Sequence, residues 1–399
     1  MKILQVLVQA MPPFSDFQVE FAYPEGHEKA GKPLDRICLI GGNGTGKSSL
    51  IKLIGTFLKD TLRFRSKSLF LVKIEIDGRR LYAVHINNNG LLFKEEIDEE
   101  PMWMFELIRD QAITLAFTQN YEKYCIGHEE EPELYDKLWF ENDGNDLVIF
   151  QPSDYYRDFG IGLNGVPPVK GHEAESLVGN FPFYNEVSPA KLTDFWAMLG
   201  FLFYRRNRTY QDFCGLKENT GKPESILKNM FDKEHPEIIP SLKAAWTPVL
   251  DELGVEINDD ELTIPINIRD KFVLELKEKG SGKKIEFGEL GTGLRRMLFN
   301  LGHIWALSFD REIAQSFVFL EEPEANLHPS FIKQLVPLYE NIVQSNQLFV
   351  STHSPILAAS FDPAERLILE KDEAGQISIR RSECAIDASY SEILEKDFS

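Results

Sequence analysis

A glycine-rich loop between a strand and a helix constrains this sequence more than any other feature. Residues 41–48 read Gly-Gly-Asn-Gly-Thr-Gly-Lys-Ser, which fits the pattern G-x-x-x-x-G-K-[ST]. An apolar strand at 36–40 precedes the loop, and apolar residues at helical spacing follow it up to residue 58. Glycines let successive backbone N–H groups turn toward a phosphate, and a helix N-terminus adds positive potential. The order strand, loop, helix therefore predicts an α/β fold with a site for a nucleotide.

The loop also predicts which groups act on the nucleotide. Lys47 is expected to reach the β- and γ-phosphates, and the Ser48 hydroxyl is expected to bind Mg2+, which prefers oxygen ligands. ATP and Mg2+ are therefore the expected cofactors. The residues expected to contact the nucleotide here are Gly41, Gly42, Asn43, Gly44, Thr45, Gly46, Lys47, Ser48 and Ser49.

A second cluster of candidate residues follows an apolar strand near residue 320. This strand runs straight into the sequence Glu321-Glu322-Pro323-Glu324. Ligands of open α/β sheets bind outside the carboxyl ends of the strands, so both leading carboxylates are expected at the site. Glu321 would hold Mg2+ through water, and Glu322 would accept a proton from the attacking water.

The same region carries a resemblance to a known family. The stretch LEEPEANLHP, followed after one helix by LFVSTHSP, resembles the Walker B, D-loop and switch-histidine run of ABC-type ATPases. It is most similar to the branch of SMC, RecF and overcoming-lysogenization-defect (OLD) ATPases, which includes ATPase subunits of anti-phage systems such as Septu and PARIS. The resemblance implies that Glu321 is the Walker B acid, in place of the usual Asp, that Glu322 is the catalytic glutamate, and that His353 contacts the γ-phosphate.

The residues before the next predicted helix resemble the ABC signature loop, normally L-S-G-G-Q, in a degenerate form. Leu290 and Gly293 match it, whereas Gly291 replaces Ser and Leu294 replaces Gln. In the family this loop serves the nucleotide of the opposite subunit. The resemblance therefore implies that Gly291, Thr292 and Gly293 bind ATP across an interface, so that the chain forms an ATP-sandwiched dimer or a higher oligomer.

The glutamine that couples ATP to the rest of such a protein has two candidates. Gln119 follows the apolar run 113–117, and Gln151 follows the run 147–150. Both end a predicted strand. We prefer Gln119, as a ligand of Mg2+, and keep Gln151 as the alternative.

The pattern along the chain predicts three regions. Residues 1–119 would form an N-terminal lobe with the phosphate loop and an antiparallel meander at 68–97, and residues 286–399 would form the C-terminal lobe. Residues 120–285 between them, with helices expected at 190–204 and 224–253, would be an inserted, mainly helical lid. The resemblance implies that the fold is an α/β ABC-type P-loop ATPase head, and no heptad pattern predicts coiled-coil arms. Only 46 residues follow His353, too few for the Toprim domain of OLD nucleases.

Charge and composition limit the binding partners and the cellular location that the sequence predicts. Lysine and arginine number 43 against 63 aspartates and glutamates, for a net charge of -20, which argues against a protein whose whole surface binds nucleic acid. Basic clusters at 63–67 and 205–208 leave a local DNA-binding groove open.

No stretch approaches the roughly 18 apolar residues of a membrane span, and the N-terminus lacks a signal peptide. We expect a cytoplasmic protein without a membrane partner.

These features together favour one function and leave others open. By resemblance, the chain would be an ATP-hydrolysing sensor and scaffold that controls a separately encoded nuclease or toxin in anti-phage defence. A RecF- or SMC-like repair ATPase that binds DNA is one alternative. A nucleotide-stabilised scaffold with little turnover is another. A transporter ATPase is disfavoured because its D-loop differs from the L-H-P sequence found here.

Overall fold

The computed structural model describes residues 1–59, 70–86, 89–94, 146–153, 184–187, 192–258, 275–309, 311, 313–344 and 346–398. The chain divides into two units. The first unit comprises Met1–Glu141, Gln315–Glu322 and Ser345–Ser399, and the second comprises Asn142–Ala314 and Pro323–Gln344. The division of the sequence into lobes 1–119 and 286–399 around a lid stays a prediction.

Both strands and helices occur in each unit. The strands are β1 (Lys2–Met11), β2 (Phe14–Glu20), β3 (Arg36–Ile40), β4 (Phe70–Ile76), β5 (Arg79–Ile86), β6 (Asn89–Lys94), β7 (Asp146–Gln151), β8 (Tyr184–Glu186), β9 (Val255–Ile257), β10 (Leu276–Glu278), β11 (Lys284–Ile285), β12 (Gln315–Glu321), β13 (Gln347–Thr352), β14 (Arg366–Lys371) and β15 (Ile377–Arg381). The helices are α1 (Lys47–Lys59), α2 (Leu192–Gly215), α3 (Glu224–Glu234), α4 (Ile238–Glu252), α5 (Thr292–Ser308), α6 (Pro329–Ile332), α7 (Leu335–Ile342), α8 (Pro355–Ala358) and α9 (Tyr390–Asp397).

An antiparallel sheet forms the N-terminal part of the first unit. Its five strands lie in the order β2-β1-β4-β5-β6. The turn between β4 and β5 is Asp77-Gly78, and both residues have positive φ, at 51° and 76°. Such angles match the twist of a two-residue hairpin and explain the Asp-Gly sequence. The predicted antiparallel N-terminal sheet and the α/β class are confirmed.

The second sheet positions the candidate site. Within the first unit its strands lie in the order β15-β14-β3-β13-β12, and all neighbours are parallel except β14 and β15. Every residue of β13 is buried. Continuous apolar runs are typical of parallel strands that are covered on both faces. Because β3, β12 and β13 run in the same direction, their carboxyl ends meet at one edge of the sheet.

Helices form most of the described part of the second unit. The helical stretch expected over 224–253 consists of two separate helices, α3 and α4. His235 between them has φ −123° and ψ 108°, an extended conformation that the following Pro236 favours. Helix α5 is buried continuously from Met297 to Leu307. Within the described ranges, no helix combines the length and the apolar character needed to cross a membrane.

A buried glutamine side chain connects the two sheets of the first unit. Gln347, the first residue of β13, has no exposed surface. Its Oε1 accepts a hydrogen bond from the Ile3 N–H at 2.6 Å, and its Nε2 donates to the carbonyls of Ile3 and Leu34, each at 2.9 Å. One side chain thus satisfies three backbone groups that belong to β1 and to the segment before β3.

Replacing this glutamine should destabilise the protein. A Gln347→Leu change keeps a similar size but leaves the three backbone groups without these partners, and each such loss costs about 1–3 kcal/mol. We expect the free energy of unfolding to fall by roughly 3 kcal/mol in denaturant titrations. The exposed Gln18 on β2 is the control, because Gln18→Ala should change stability by less than about 0.5 kcal/mol. Equal stability of the two variants would contradict this role.

Candidate nucleotide site

The glycine-rich loop folds around its own lysine. Lys47 is the first residue of α1 and is only 6% exposed. Its Nζ donates hydrogen bonds to the carbonyls of Gly41 at 2.8 Å and Gly42 at 3.0 Å. The Thr45 hydroxyl donates to the Gly42 carbonyl at 2.9 Å. The ammonium group therefore lies over the loop at the N-terminus of a helix, the arrangement that suits a phosphate.

Two positions of the loop accept only glycine. Gly41 has φ 152°, and a Cβ there would lie 2.4 Å from the Leu369 carbonyl oxygen. Gly46 has φ 93°, and its Cβ would lie 3.0 Å from both the Phe14 ring and the Ile377 side chain. Close packing from β2, β14 and β15 thus fixes the path of the loop, which explains why glycines occur at these points of the motif.

An acidic side chain lies at the carboxyl end of β12, in the same sheet as the strand that precedes the glycine-rich loop. Glu321, the last residue of β12, is 1% exposed, and its Oε2 lies 4.0 Å from the Lys52 Nζ on α1. Ser48 precedes Lys52 by four residues and therefore lies on the same face of α1. The Ser48 hydroxyl and the Glu321 carboxylate are hard oxygen donors of the kind that Mg2+ prefers, so the residues present fit the expected ion.

The described part of the chain offers few protein ligands for a metal. Among the described residues, no group of three or more His, Cys, Asp and Glu side chains could hold an ion. Mg2+ usually takes one or two carboxylates and completes its shell with water and phosphate oxygens. The donor set of Ser48 and Glu321 matches that pattern, in which the nucleotide supplies the remaining ligands.

Glu322 and His353 form a pair at the same strand ends. Glu322 has φ 44°, a left-handed conformation that residues other than glycine seldom adopt, and its N–H donates to the Ser351 carbonyl at 2.9 Å. The His353 Nε2 lies 3.5 Å from the Glu322 Oε1. Both side chains remain partly exposed, at 34% for His353 and 28% for Glu322. Strained backbone of this kind is concentrated at functional sites.

The charge state of His353 follows from its surroundings. Burial lowers the pKa of the imidazole below its usual 6.5, and the positive charge of Lys47 lowers it further. The Glu322 carboxylate acts in the opposite direction. The net lowering keeps His353 neutral at pH 7, so that one ring nitrogen can donate and the other can accept a hydrogen bond.

A glycine in the second unit makes a similarly close approach. Gly291 caps the N-terminus of α5, and Gly293 is buried in its first turn. A Cβ on Gly293 would lie 2.1 Å from the carbonyl oxygen of Asn326, whose φ is 61°. The start of α5 thus packs directly on the backbone of the segment that resembles a D-loop. The sequence resemblance indicated both segments but gave no sign of this contact.

Residues 36–359 match the profile of the family described as "AAA domain, putative AbiEii toxin, Type IV TA system". The chain belongs to this family. In this AAA-domain protein the matched span includes the loop at 41–48, the acidic pair at 321–322 and His353. No match to the chain was found among curated proteins.

Three solved structures similar to this AAA-domain protein are SMC heads. The SMC head bound to the C-winged helix domain of ScpA has 13% identity over 96% of this chain and 98% of that chain, with a TM-score of 0.44. The SMC head domain from Thermotoga maritima has 13% identity over 96% and 100%, with a TM-score of 0.42. The SMC head with an extended coiled coil, bound to the C-terminal domain of ScpA and derived from Pyrococcus furiosus, has 11% identity over 95% and 96%, with a TM-score of 0.43.

Two glutamines of this AAA-domain protein are candidates for the residue that couples ATP to the rest of the chain. Gln119 lies outside the described residues. Gln151 ends β7, is 1% exposed, and accepts a hydrogen bond from the Tyr339 hydroxyl at 2.7 Å. Burial raises the pKa of Tyr339 to about 12, so the hydroxyl remains a donor at neutral pH. Sequence reasoning gave no sign of Tyr339.

One of the two basic clusters, at 205–208, lies within the described residues. Arg206 pairs with Asp232 and donates to the Pro236 carbonyl at 3.2 Å, which holds α2 against the end of α3. This side chain therefore serves helix packing. The other basic cluster, at 63–67, lies outside the described residues.

The contact at Gly293 generates a stability prediction. A Gly293→Ala change places a methyl group against a backbone oxygen and should lower the free energy of unfolding by about 1–3 kcal/mol, as overpacking does. Gly291→Ala is the matched control, because the space around that position is open and its φ of −56° suits alanine. Glycine is favoured over alanine at an N-cap, so we expect Gly291→Ala to lower the free energy of unfolding by no more than about 1 kcal/mol. Similar melting curves for both variants would refute the close packing.

Proposed function

We propose that this AAA-domain protein hydrolyses Mg2+-ATP and acts as an oligomeric switch that controls a separately encoded nuclease or toxin in bacterial anti-phage defence. The observation that carries the proposal is the arrangement at one edge of the first unit's sheet. There a phosphate loop closed on Lys47, a buried Glu321 and the Glu322–His353 pair all follow directly from strand ends.

The chain's own residues divide the work of hydrolysis among them. Phosphoryl transfer depends mostly on positioning and on stabilising charge at the phosphate oxygens. Lys47 and the loop N–H groups would hold the phosphates, and Glu322 would accept the proton of the attacking water. A neutral His353, 3.5 Å from Glu322, would orient that water and contact the γ-phosphate.

The proposal assigns two residues to the binding of Mg2+. Ser48 and Glu321 would hold Mg2+, which when bound supplies positive charge to the phosphate oxygens. Glu321 is one methylene longer than the usual Asp, and its burial against α1 supports contact through a metal-bound water. The requirement for Mg2+ is therefore part of the proposal.

Assembly is the second part of the proposal. Gly291 and Thr292 are exposed at the N-terminus of α5, a 17-residue helix, where backbone N–H groups form an anion site. This exposure supports a contact with ATP held by a second copy. Gln119 and Gln151 both stay candidates for the coupling glutamine, and for Gln151 the supporting observations are its place at the end of β7 and the hydrogen bond that its amide accepts from Tyr339.

The defence setting rests on the family and on charge. The family description names a toxin and a type IV toxin–antitoxin system, which supports a pairing with an effector protein. The net charge of -20 favours a protein partner over bulk DNA. Arg206, engaged in helix packing, adds no support for the repair alternative.

The catalytic assignment can be tested by substitution at Glu322. Glu322→Gln removes the proton acceptor but keeps its shape, so steady-state kcat for ATP should fall at least about 100-fold while ATP binding persists. Lys47→Ala should instead abolish ATP binding. Phosphate release and equilibrium binding, each measured with Mg2+ and with EDTA, separate the two effects.

A distant carboxylate controls for the general effect of removing charge. Glu395 is exposed on α9, and Glu395→Gln should leave kcat within about twofold of the wild type. Wild-type protein without Mg2+-dependent turnover, or Glu322→Gln with full turnover, would overturn the proposed mechanism.

A further inference from the structure

Within the described residues, a buried serine hydroxyl near the acidic strand end lacks a hydrogen-bond partner. Ser351 lies in β13 and is only 1% exposed. Its Oγ has no hydrogen-bond partner within the part of the chain that the structure describes. Buried hydroxyls are nearly always hydrogen-bonded, and an exception indicates a partner that the protein itself does not provide, such as an ordered water or an ion. The residues that surround the Ser351 hydroxyl indicate what this partner is.

Strand register gives the direction of the Ser351 side chain. Ser351 lies beside Glu321 of β12 on one side and beside Leu39 of β3 on the other. In-register neighbours of parallel strands project from the same face of a sheet. Glu321 reaches to within 4.0 Å of Lys52 on α1, so this is the face that α1 covers. The Ser351 hydroxyl therefore shares that face with the candidate Mg2+ ligand.

The backbone around Ser351 is fixed by the same site. The Ser351 carbonyl accepts the hydrogen bond from the Glu322 N–H at 2.9 Å. The next residue, Thr352, is fully buried, and its hydroxyl accepts a hydrogen bond from the Ser354 N–H at 2.9 Å. Two consecutive hydroxyls thus point to opposite faces of the sheet, and the one on the opposite face from Glu321 has a protein partner. The hydroxyl beside Glu321 remains available.

We propose that Ser351 is a positioning residue for the Mg2+–ATP complex, whose hydroxyl holds a water of the metal shell beside Glu321. The inference rests on the proposed function. Mg2+ loses its waters reluctantly, and groups that hydrogen-bond such waters orient the ion and increase its affinity. A serine fits this task because its hydroxyl both donates and accepts a hydrogen bond.

The proposal predicts a change in the Mg2+ requirement of nucleotide binding. Binding of a fluorescent ATP analogue to the full chain would be titrated with Mg2+ for wild type, Ser351→Ala and Ser351→Cys. The Mg2+ concentration for half-maximal enhancement of binding should rise about tenfold in both variants, because loss of an outer partner costs that much in metal affinity. Binding in EDTA should stay within about twofold of wild type, since the phosphate loop is intact.

Two comparisons separate this role from simple packing. Ser316 is equally buried at the opposite end of β12, and Ser316→Ala should leave the Mg2+ requirement unchanged. Ser351→Cys keeps the shape of the side chain, with a somewhat larger sulfur atom, but replaces the hydroxyl with a poor hydrogen-bonding group. If Ser351→Cys matches wild type while Ser351→Ala does not, the side chain serves packing and the proposal is overturned.

The other possible results also support or overturn the inference about Ser351. A normal Mg2+ requirement in both Ser351 variants, with Mg2+-dependent binding in the wild type, overturns the inference and leaves the proposed function intact. If Mg2+ has no effect on nucleotide binding by the wild-type protein, both the inference and the proposed Mg2+-dependent function are overturned. A tenfold rise in both Ser351 variants, absent in Ser316→Ala, supports the inference.

Discussion

Three parallel strands in register determine where the chemistry of this chain takes place. β13 lies between β3 and β12, so that Thr352 lies beside Ile40 and Ser351 lies beside Glu321. The glycine-rich loop, the acidic pair and His353 follow directly from these three strand ends. A shift of one residue in β12 would turn Glu321 away from α1, because successive side chains point to opposite faces. Burial of these apolar strands therefore stabilises the core and also sets the register of the site.

The site also depends on backbone conformations that most residues avoid. Gly41 and Gly46 adopt positive φ where neighbouring atoms leave no room for a Cβ, and Glu322 adopts positive φ although it has one. A non-glycine residue in this region costs about 1–3 kcal/mol. The surrounding packed strands offset that cost, and in return Glu322 comes within 3.5 Å of His353. The strain is local, whereas the stabilisation comes from the whole sheet.

The sequence predicted the features that are encoded locally. The loop motif, the apolar runs that became β3, β12 and β13, and the Asp-Gly hairpin each depend on a few adjacent residues. Helical periodicity across 224–253 concealed the break at Pro236, because the apolar spacing continues through it. Contacts that depend on distant residues were not predictable, among them the hydrogen bond of Tyr339 with Gln151, which is 188 residues away in the chain. The same holds for Ser351, whose missing partner becomes evident only from the packing.

The proposed effector-controlling switch is best tested by the mass of the complex purified from native cells through the tagged chain, measured with and without ATP for wild type and Glu322→Gln. We expect that ATP converts the chain into a dimer or higher oligomer, that Glu322→Gln stabilises this state, and that a second protein with a nuclease or toxin fold copurifies. A bare chain that dimerises with ATP and captures DNA would contradict effector control and favour repair. A mass that ATP does not change would contradict the switch itself.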